Sequence, residues 1–306
     1  MWSIPDQTGR TAVVTGASAG LGLATAQVLA DRGATVVLAC RDVRKGEGVR
    51  AALTQRGVSA DRLVVRRLDL GDQASVQEFA ATFRAEHDGL DLLINNAGLG
   101  GMPAGRTADN FETHIGVNHL GHMALTLRLL PVLVARPGAR VVTLTSGAHR
   151  AGRIDLSDLD GARERYRPFA AYARSKLANL LFSVELGRRL SAAGHDTVSV
   201  AVDPGFVRTE LNTKGSTAAQ RLIIRVSQLL VPSQSATNGA RTTLRAATDP
   251  APASGQLYAP RFGTIGPPVL ANPGRSATTD PTMPSRLWGA SLTRLQLVEP
   301  VLLRSR

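Results

Sequence analysis

The sequence predicts an α/β fold: one doubly wound parallel sheet of about seven strands with helices on both faces. Three observations carry this. Short β-branched runs alternate with longer segments whose apolar residues recur at helical spacing. The runs are almost continuously apolar, as strands buried on both faces are. Hydrophobic residues make up 43% of 306, enough for a large core, and no linker divides the chain. A single domain over 1–306 is expected, with halves at about 8–150 and 151–306.

In chain order, strands are expected at 11–15 (TAVVT), 35–39 (TVVLA), 63–68 (LVVRRL), 90–95 (LDLLIN), 140–145 (RVVTLT) and 197–202 (TVSVAV), with a seventh near 255–259. The first helix, LGLATAQVLADRG, ends at Gly33, a residue suited to a helix C-terminus. The stretch LRLLPVLVA at 127–135 is interrupted by Arg128 and Pro131 and reads as the end of a buried helix. No run reaches 18 apolar residues, and no basic-then-apolar leader opens the chain. A soluble, cytoplasmic protein without a transmembrane segment is therefore expected.

Composition narrows the function classes. The net charge is +12, yet the basic residues are scattered, with Arg62, Arg66 and Arg67 in one place and Arg163, Arg165 and Arg167 in another. Aromatic residues are only 4%, and no helix interleaves them with a basic stripe, which argues against nucleic acid. Cys40 is the single cysteine, so no intrachain disulfide or Cys-based metal cluster can form. His114, His119 and His122 lie close together but without a well-placed carboxylate, so no metal site is expected.

In a doubly wound sheet the ligand lies beyond the carboxyl ends of the strands, where strand order reverses. The first strand runs into TGASAGLG, with Gly16, Gly20 and Gly22 around Ser18 and Leu21. Glycines there let the backbone turn tightly against a pyrophosphate held at a helix N-terminus. At the end of the second strand stand Cys40, Arg41 and Asp42. An acid at this place suits NAD(H), whereas an Arg accommodates a 2′-phosphate, so Arg41 favours NADP(H). Asp69 and Leu70 close the third strand, where they face the adenine. NNAG, with Asn95, Ala97 and Gly98, follows the fourth strand as a loop supporting the cofactor.

Only three Lys occur among 36 Lys plus Arg, and one of them, Lys176, lies a helical turn after Tyr172 in YARSK. A Tyr ionises near pH ~10 and is a poor acid–base group at neutrality. A nearby ammonium favours the phenolate and brings that value down. A compact Lys charge can do this while bonding a ribose hydroxyl, which a planar guanidinium does less well. Ser146 ends the fifth strand 26 residues earlier, and His149 follows it by three as a candidate to line the substrate pocket.

Taken in order and spacing, the TGxxxGxG turn, NNAG, Tyr172-x-x-x-Lys176 and DPGFVRT at 203–209 resemble the short-chain dehydrogenase/reductase superfamily over nearly the whole chain. ACRD, VNHLGH (117–122), AHRAGRI and YARSKLANLLF are closer still to its retinol dehydrogenase-like and WW-domain oxidoreductase-like branch. The resemblance implies a Rossmann-type fold and four catalytic positions: Asn118, Ser146, Tyr172 and Lys176. By analogy, Ser146 polarises a substrate carbonyl and Tyr172 passes it a proton. Lys176 holds the nicotinamide ribose and tunes Tyr172, and Asn118 holds a water that relays protons to Lys176. Pro204 and Gly205 form the cofactor-binding turn after the sixth strand, and Val207 and Thr209 approach the nicotinamide carboxamide.

These readings together imply an NADP(H)-dependent oxidoreductase that interconverts a ketone or aldehyde with an alcohol, the substrate being apolar. The apolar segment 222–232 is either a lid or a core helix. A monomer or a homo-oligomer is compatible with the resemblance. Two rivals keep the same cofactor: a tailoring enzyme for a natural-product intermediate, redox or not, and an NADP-sensing regulatory protein without turnover.

Overall fold

The computed structural model describes residues 3–163, 165–207, 233–274 and 280–303. Thr209 and the segment 222–232 lie outside the described residues. The strands are β1 (Thr11–Thr15), β2 (Thr35–Cys40), β3 (Leu63–Arg67), β4 (Leu92–Asn95), β5 (Arg140–Leu144), β6 (Val198–Val202), β7 (Leu257–Pro260) and β8 (Pro268–Ala271). They form one sheet in the order β3-β2-β1-β4-β5-β6-β7-β8. Neighbours are parallel except β7 and β8. Strand order reverses between β1 and β4, so the expected crevice lies at the ends of those two strands.

The sheet has eight strands where the sequence suggested about seven. β8 returns antiparallel along β7 from the turn 261–267, in which Gly263 and Gly266 adopt positive φ. Its four residues, PVLA, open with a Pro and show neither alternation nor a continuous buried run. An edge strand tolerates the missing N–H of Pro, which is why no strand signal reaches the sequence.

Around the sheet pack α1 (Gly20–Asp31), α2 (Val43–Gln55), α3 (Gln73–Glu86), α4 (Gly121–Val134), α5 (Pro168–Ala192), α6 (Ala236–Thr248) and α7 (Met283–Leu295). Successive strand residues face opposite sides, so each strand feeds two cores. Val13, Val37, Leu93 and Val141 pack with Phe79 and Phe83 of α3, Leu125 and Leu129 of α4, and Phe182 of α5. Their neighbours Val14, Leu38, Ile94 and Val142 pack on the other side with Leu29 of α1 and Leu244 of α6. Continuous apolar strands are the sequence trace of this two-sided burial.

The stretch 127–135 forms the end of a buried helix, α4, as the sequence suggested. Pro131 lies inside it, and the helix continues to Val134. Before α4, the chain is π-helical over Ile115–Leu120. Such a widened turn shifts the side-chain register within an otherwise regular helix, and it is frequent at functional sites. Asn118 stands in it. The C-terminal stretch 295–303 packs on its own chain: Leu303 is buried in the core beside Trp288, and Glu299 pairs with Arg189 of α5.

Candidate active site

The turn after β1 is built by backbone strain and close approach. Gly16 and Gly20 take positive φ, a region that Gly enters at little cost. A Cβ on Gly22 would lie 2.4 Å from the Gly16 carbonyl oxygen, so this position must stay bare for helix and turn to meet. Ser18 and Leu21 are half-buried along this turn. Ala19, at the N-cap of α1, supplies no side-chain cap, and the first turn of α1 contains no acid. By contrast, α2 is capped by Asp42 and α3 by Asp72. A helix start with unanswered N–H groups and a positive dipole end fits a dinucleotide pyrophosphate.

Thr15 holds this turn in place. Its Oγ1 accepts from the N–H groups of Asn96 and Ala97, each at 2.9 Å, and lies 2.9 Å from His122 Nε2. His122 Nδ1 lies 2.9 Å from the Asn118 carbonyl, an acceptor, so Nδ1 carries the proton and Nε2 accepts from Thr15. The amide of Asn96 donates to the Thr15 carbonyl at 2.7 Å. Asn95, expected among the cofactor contacts, is fully buried instead, its amide donating to Thr126 and, at longer range, to Thr143. Asn96 is therefore the residue of the pair that braces the turn. Ala97 packs against Gly16, and Gly98 is flanked by Asn118 and Lys176, each 3.4 Å from where its Cβ would stand.

The four catalytic candidates converge beyond β4 and β5. Asn118 Oδ1 accepts from the Leu99 N–H at 2.7 Å, and its Nδ2 donates to the Leu99 carbonyl and to Ser175 Oγ, each at 2.9 Å. Ser175 in turn donates to the Tyr172 carbonyl at 2.7 Å. Lys176 is buried, and its Nζ donates to the Leu144 carbonyl at 3.2 Å, at the end of β5. Thr145 Oγ1 closes the other side by donating to the Lys176 carbonyl at 2.6 Å. Ser146 stands beside the Tyr172 hydroxyl and favours its ionised form, and the Tyr172 ring lies 5.8 Å from Lys176 Nζ and is met edge-on by His114 at 6.3 Å. One turn of α5, one π-helical turn and the end of β5 therefore deliver all four groups.

The electrostatics differ from the sequence argument, which expected Lys176 to bring Tyr172 down. Burial pushes the Tyr172 hydroxyl above its usual range, Ser146 opposes this, and the Asp203 charge adds to it. Burial also lowers the Lys176 ammonium to about 8, against the opposing pull of Asp203. Asp203, directly after β6, is buried and escaped the sequence reading although it opens the quoted DPGFVRT motif.

Around this centre, Arg41 is exposed at the end of β2. Asp42 caps α2 by accepting from the Lys45 N–H at 3.3 Å, which removes it from the cofactor side. Asp69 Oδ1 accepts from the Gly71 N–H, and the Leu70 carbonyl packs closely on Gly121. Pro204 accepts from Gln234, Gly205 takes positive φ beneath Thr264, and Val207 packs on Gly239.

His149 lies deeper than a pocket-lining residue. It is fully buried, with Nδ1 2.6 Å from the Ser146 carbonyl and Nε2 2.8 Å from the Pro273 carbonyl. It ties the serine turn to the segment after β8. The three nearby histidines have separate partners: His114 meets Glu112 at 2.9 Å, His119 meets Ser291 at 2.9 Å, and His122 meets Thr15.

Burial, aided by mutual repulsion, lowers His119 to about 3; burial lowers His122 to about 4. Both are neutral in the fold, while the unfolded chain takes up protons near 6.5. Their contribution is present above about pH 6.5 and declines as pH falls toward 4. Urea unfolding should show stability dropping between pH 7 and 5 by roughly 2 kcal/mol for each histidine. A flat profile in that interval would contradict their neutral burial.

A glycine turn at an uncapped helix start, beside buried Lys176 and Asn118 and half-buried Tyr172 and Ser146 at the sheet's carboxyl edge, defines an oxidoreductase of the dinucleotide-binding kind. The short chain dehydrogenase family model matches residues 10–220, and the chain belongs to that family. Human retinol dehydrogenase 12 is 45% identical over 240 residues, covering 78% of this chain and 73% of its own length. Mouse polyprenol dehydrogenase is 47% identical over 212 residues, 68% of this chain and 63% of its own. A solved structure of an uncharacterised protein from Mycobacterium paratuberculosis superposes with a TM-score of 0.80 at 41% identity, covering 98% of both chains. A short chain dehydrogenase from Burkholderia cenocepacia, solved with NADP, shares the fold at a TM-score of 0.61 and 24% identity over 79% of this chain and 91% of its own.

These findings correct the expectation of a cytoplasmic protein lacking a membrane-length apolar helix. The relatives are named for retinol and polyprenol, apolar alcohols that partition into bilayers. The continuous helix Ile115–Val134 is 20 residues long and apolar enough to cross a membrane, although most of it is buried inside the fold.

Proposed function

We propose that the chain is an NADP(H)-dependent oxidoreductase that interconverts an apolar alcohol and its ketone or aldehyde. The observation that carries this reading is Tyr172 beside Ser146, its ring 5.8 Å from the Nζ of buried Lys176, with Asn118 tied in through Ser175. Ser146 and Tyr172 offer two hydroxyls to one substrate oxygen, Tyr172 giving or taking its proton. Lys176, fixed by Leu144, stands between Tyr172 and Gly98, where a nicotinamide ribose would lie. The bound dinucleotide supplies or accepts the hydride. An apolar substrate is supported by the likeness to retinol and polyprenol dehydrogenases.

NADP(H) is favoured by the division of labour at β2: Asp42 is engaged as a helix cap, and exposed Arg41 is left at the place of a 2′-phosphate. The test is thermal and urea unfolding with NADPH and with NADH, each at about a hundredfold over its dissociation constant for the preferred form. NADPH should add roughly 2.7 kcal/mol, NADH markedly less at the same concentration, and Arg41→Ala should remove the difference. Equal stabilisation by both would overturn the cofactor preference, and none by either would overturn the enzyme reading.

A further inference from the structure

We infer that Asp203 is a positioning residue of this site: its carboxylate bonds the loop after β6, abuts the turn after Ser146 and sets a negative charge against Tyr172 and Lys176. The inference rests on the proposed role of Tyr172 as acid–base group. Its geometric basis is the junction of two strand ends. β5 and β6 pair in register as far as Leu144 and Val202, and Asp203 is the next residue along. Its backbone N–H donates to the Tyr258 carbonyl at 2.8 Å, which fixes the residue against β7. Its Oδ1 accepts from the Gly205 N–H at 2.9 Å.

The other carboxylate oxygen faces the serine turn. A Cβ on Gly147 would stand 3.3 Å from Oδ2, and the Gly147 N–H lends that carboxylate electrostatic support. Ser146 precedes Gly147, and Gly205 opens the loop on which Phe206 and Val207 follow. One side chain thus sets the spacing between the hydroxyl that would polarise the substrate and the loop that would flank the nicotinamide.

The second role is electrostatic. The charged or titratable groups facing Asp203 are His149 and Arg150 from the turn after Ser146, and Tyr172 and Lys176 from α5. Burial pushes the Asp203 carboxyl up, while the Gly205 N–H, His149, the Gly147 N–H and Arg150 favour its ionised form. An ionised Asp203 disfavours the Tyr172 phenolate and favours the Lys176 ammonium. Removing its charge therefore moves both titrations to lower pH. In the alcohol-oxidising direction, where Tyr172 must act as a base, the rate rises with pH as the phenolate forms.

The experiment compares Asp203→Asn, Asp203→Ser and Asp203→Glu with the unaltered enzyme. The rising limb of kcat against pH should move down by about one pH unit in both charge-free variants and return in Asp203→Glu. KM for the dinucleotide should change less than kcat. A lower kcat with the limb unmoved would overturn the electrostatic role and leave a structural residue only. The Tyr172 phenolate band, read as the ultraviolet titration of each protein minus its Tyr172→Phe counterpart, should move in the same sense. That second readout needs no substrate. An unaltered protein without turnover on any alcohol would therefore sink the proposed function, whereas an unmoved phenolate titration would sink this inference. If Asp203→Asn fails to fold, Asp203→Ser, a smaller charge-free side chain, carries the comparison.

Discussion

Tyr172→Phe should leave the chain folded and able to bind its dinucleotide while lowering turnover about 10²–10⁴-fold, the usual worth of a positioned acid–base group. The phenyl ring keeps the edge contact with His114, so packing changes little. What disappears is the hydroxyl beside Ser146. Absorbance of the nicotinamide during a carbonyl and alcohol screen measures the loss, and cofactor-dependent thermal stabilisation checks that binding survives. A regulatory protein that only senses the cofactor would be indifferent to this substitution. A tailoring enzyme with the same acid–base group would lose activity equally, and substrate range then decides between it and a general alcohol oxidoreductase.

Lys176→Arg should be nearly as damaging although the charge is kept. The Lys176 side chain is buried between the end of β5 and Gly98, with Nζ on the Leu144 carbonyl, an acceptor shared with Asn179. A guanidinium is larger and planar, and overfilling a packed site costs about 1–3 kcal/mol of stability. Its displacement of neighbouring groups by about 1 Å is enough for a 10²-fold loss of kcat. Arg also cannot release a proton near neutrality, whereas Lys176 is held at about 8. Urea unfolding and kcat measured together test this, and an active, equally stable variant would refute the argument that the site requires Lys.

Much of the site was legible in the sequence because its residues are either rare in this chain or fixed in spacing. Lys176 stands out among 36 basic residues only because the rest are nearly all Arg. Strand ends could be placed because two-sided burial writes continuous apolar runs, and the glycine turn because positive φ selects Gly. Other features leave no such trace. Whether Asn95 or Asn96 braces the turn depends on which way each side chain points at the end of β4, and adjacent identical residues give no local signal. His149 is placed by contacts with Pro273, 124 residues away in sequence. The π-helical turn at Asn118 arises from packing around the helix start, and nothing in IGVNHL distinguishes it from an ordinary helix. Asp203 is one acid among 24 Asp and Glu, conspicuous only once β5 and β6 are laid side by side.

The Thr15 hydroxyl joins the cofactor turn to the helix bearing Asn118 through a single histidine. For anyone redesigning this protein, that makes two regions one unit of selection. Substitutions at Thr15, Asn96 or His122 will show strong epistasis with those at Asn118, because neighbours in one bonded network do not combine additively. Arg41 has no part in these bonds, so cofactor preference can be evolved there independently, while the turn and the catalytic helix must be randomised in the same library.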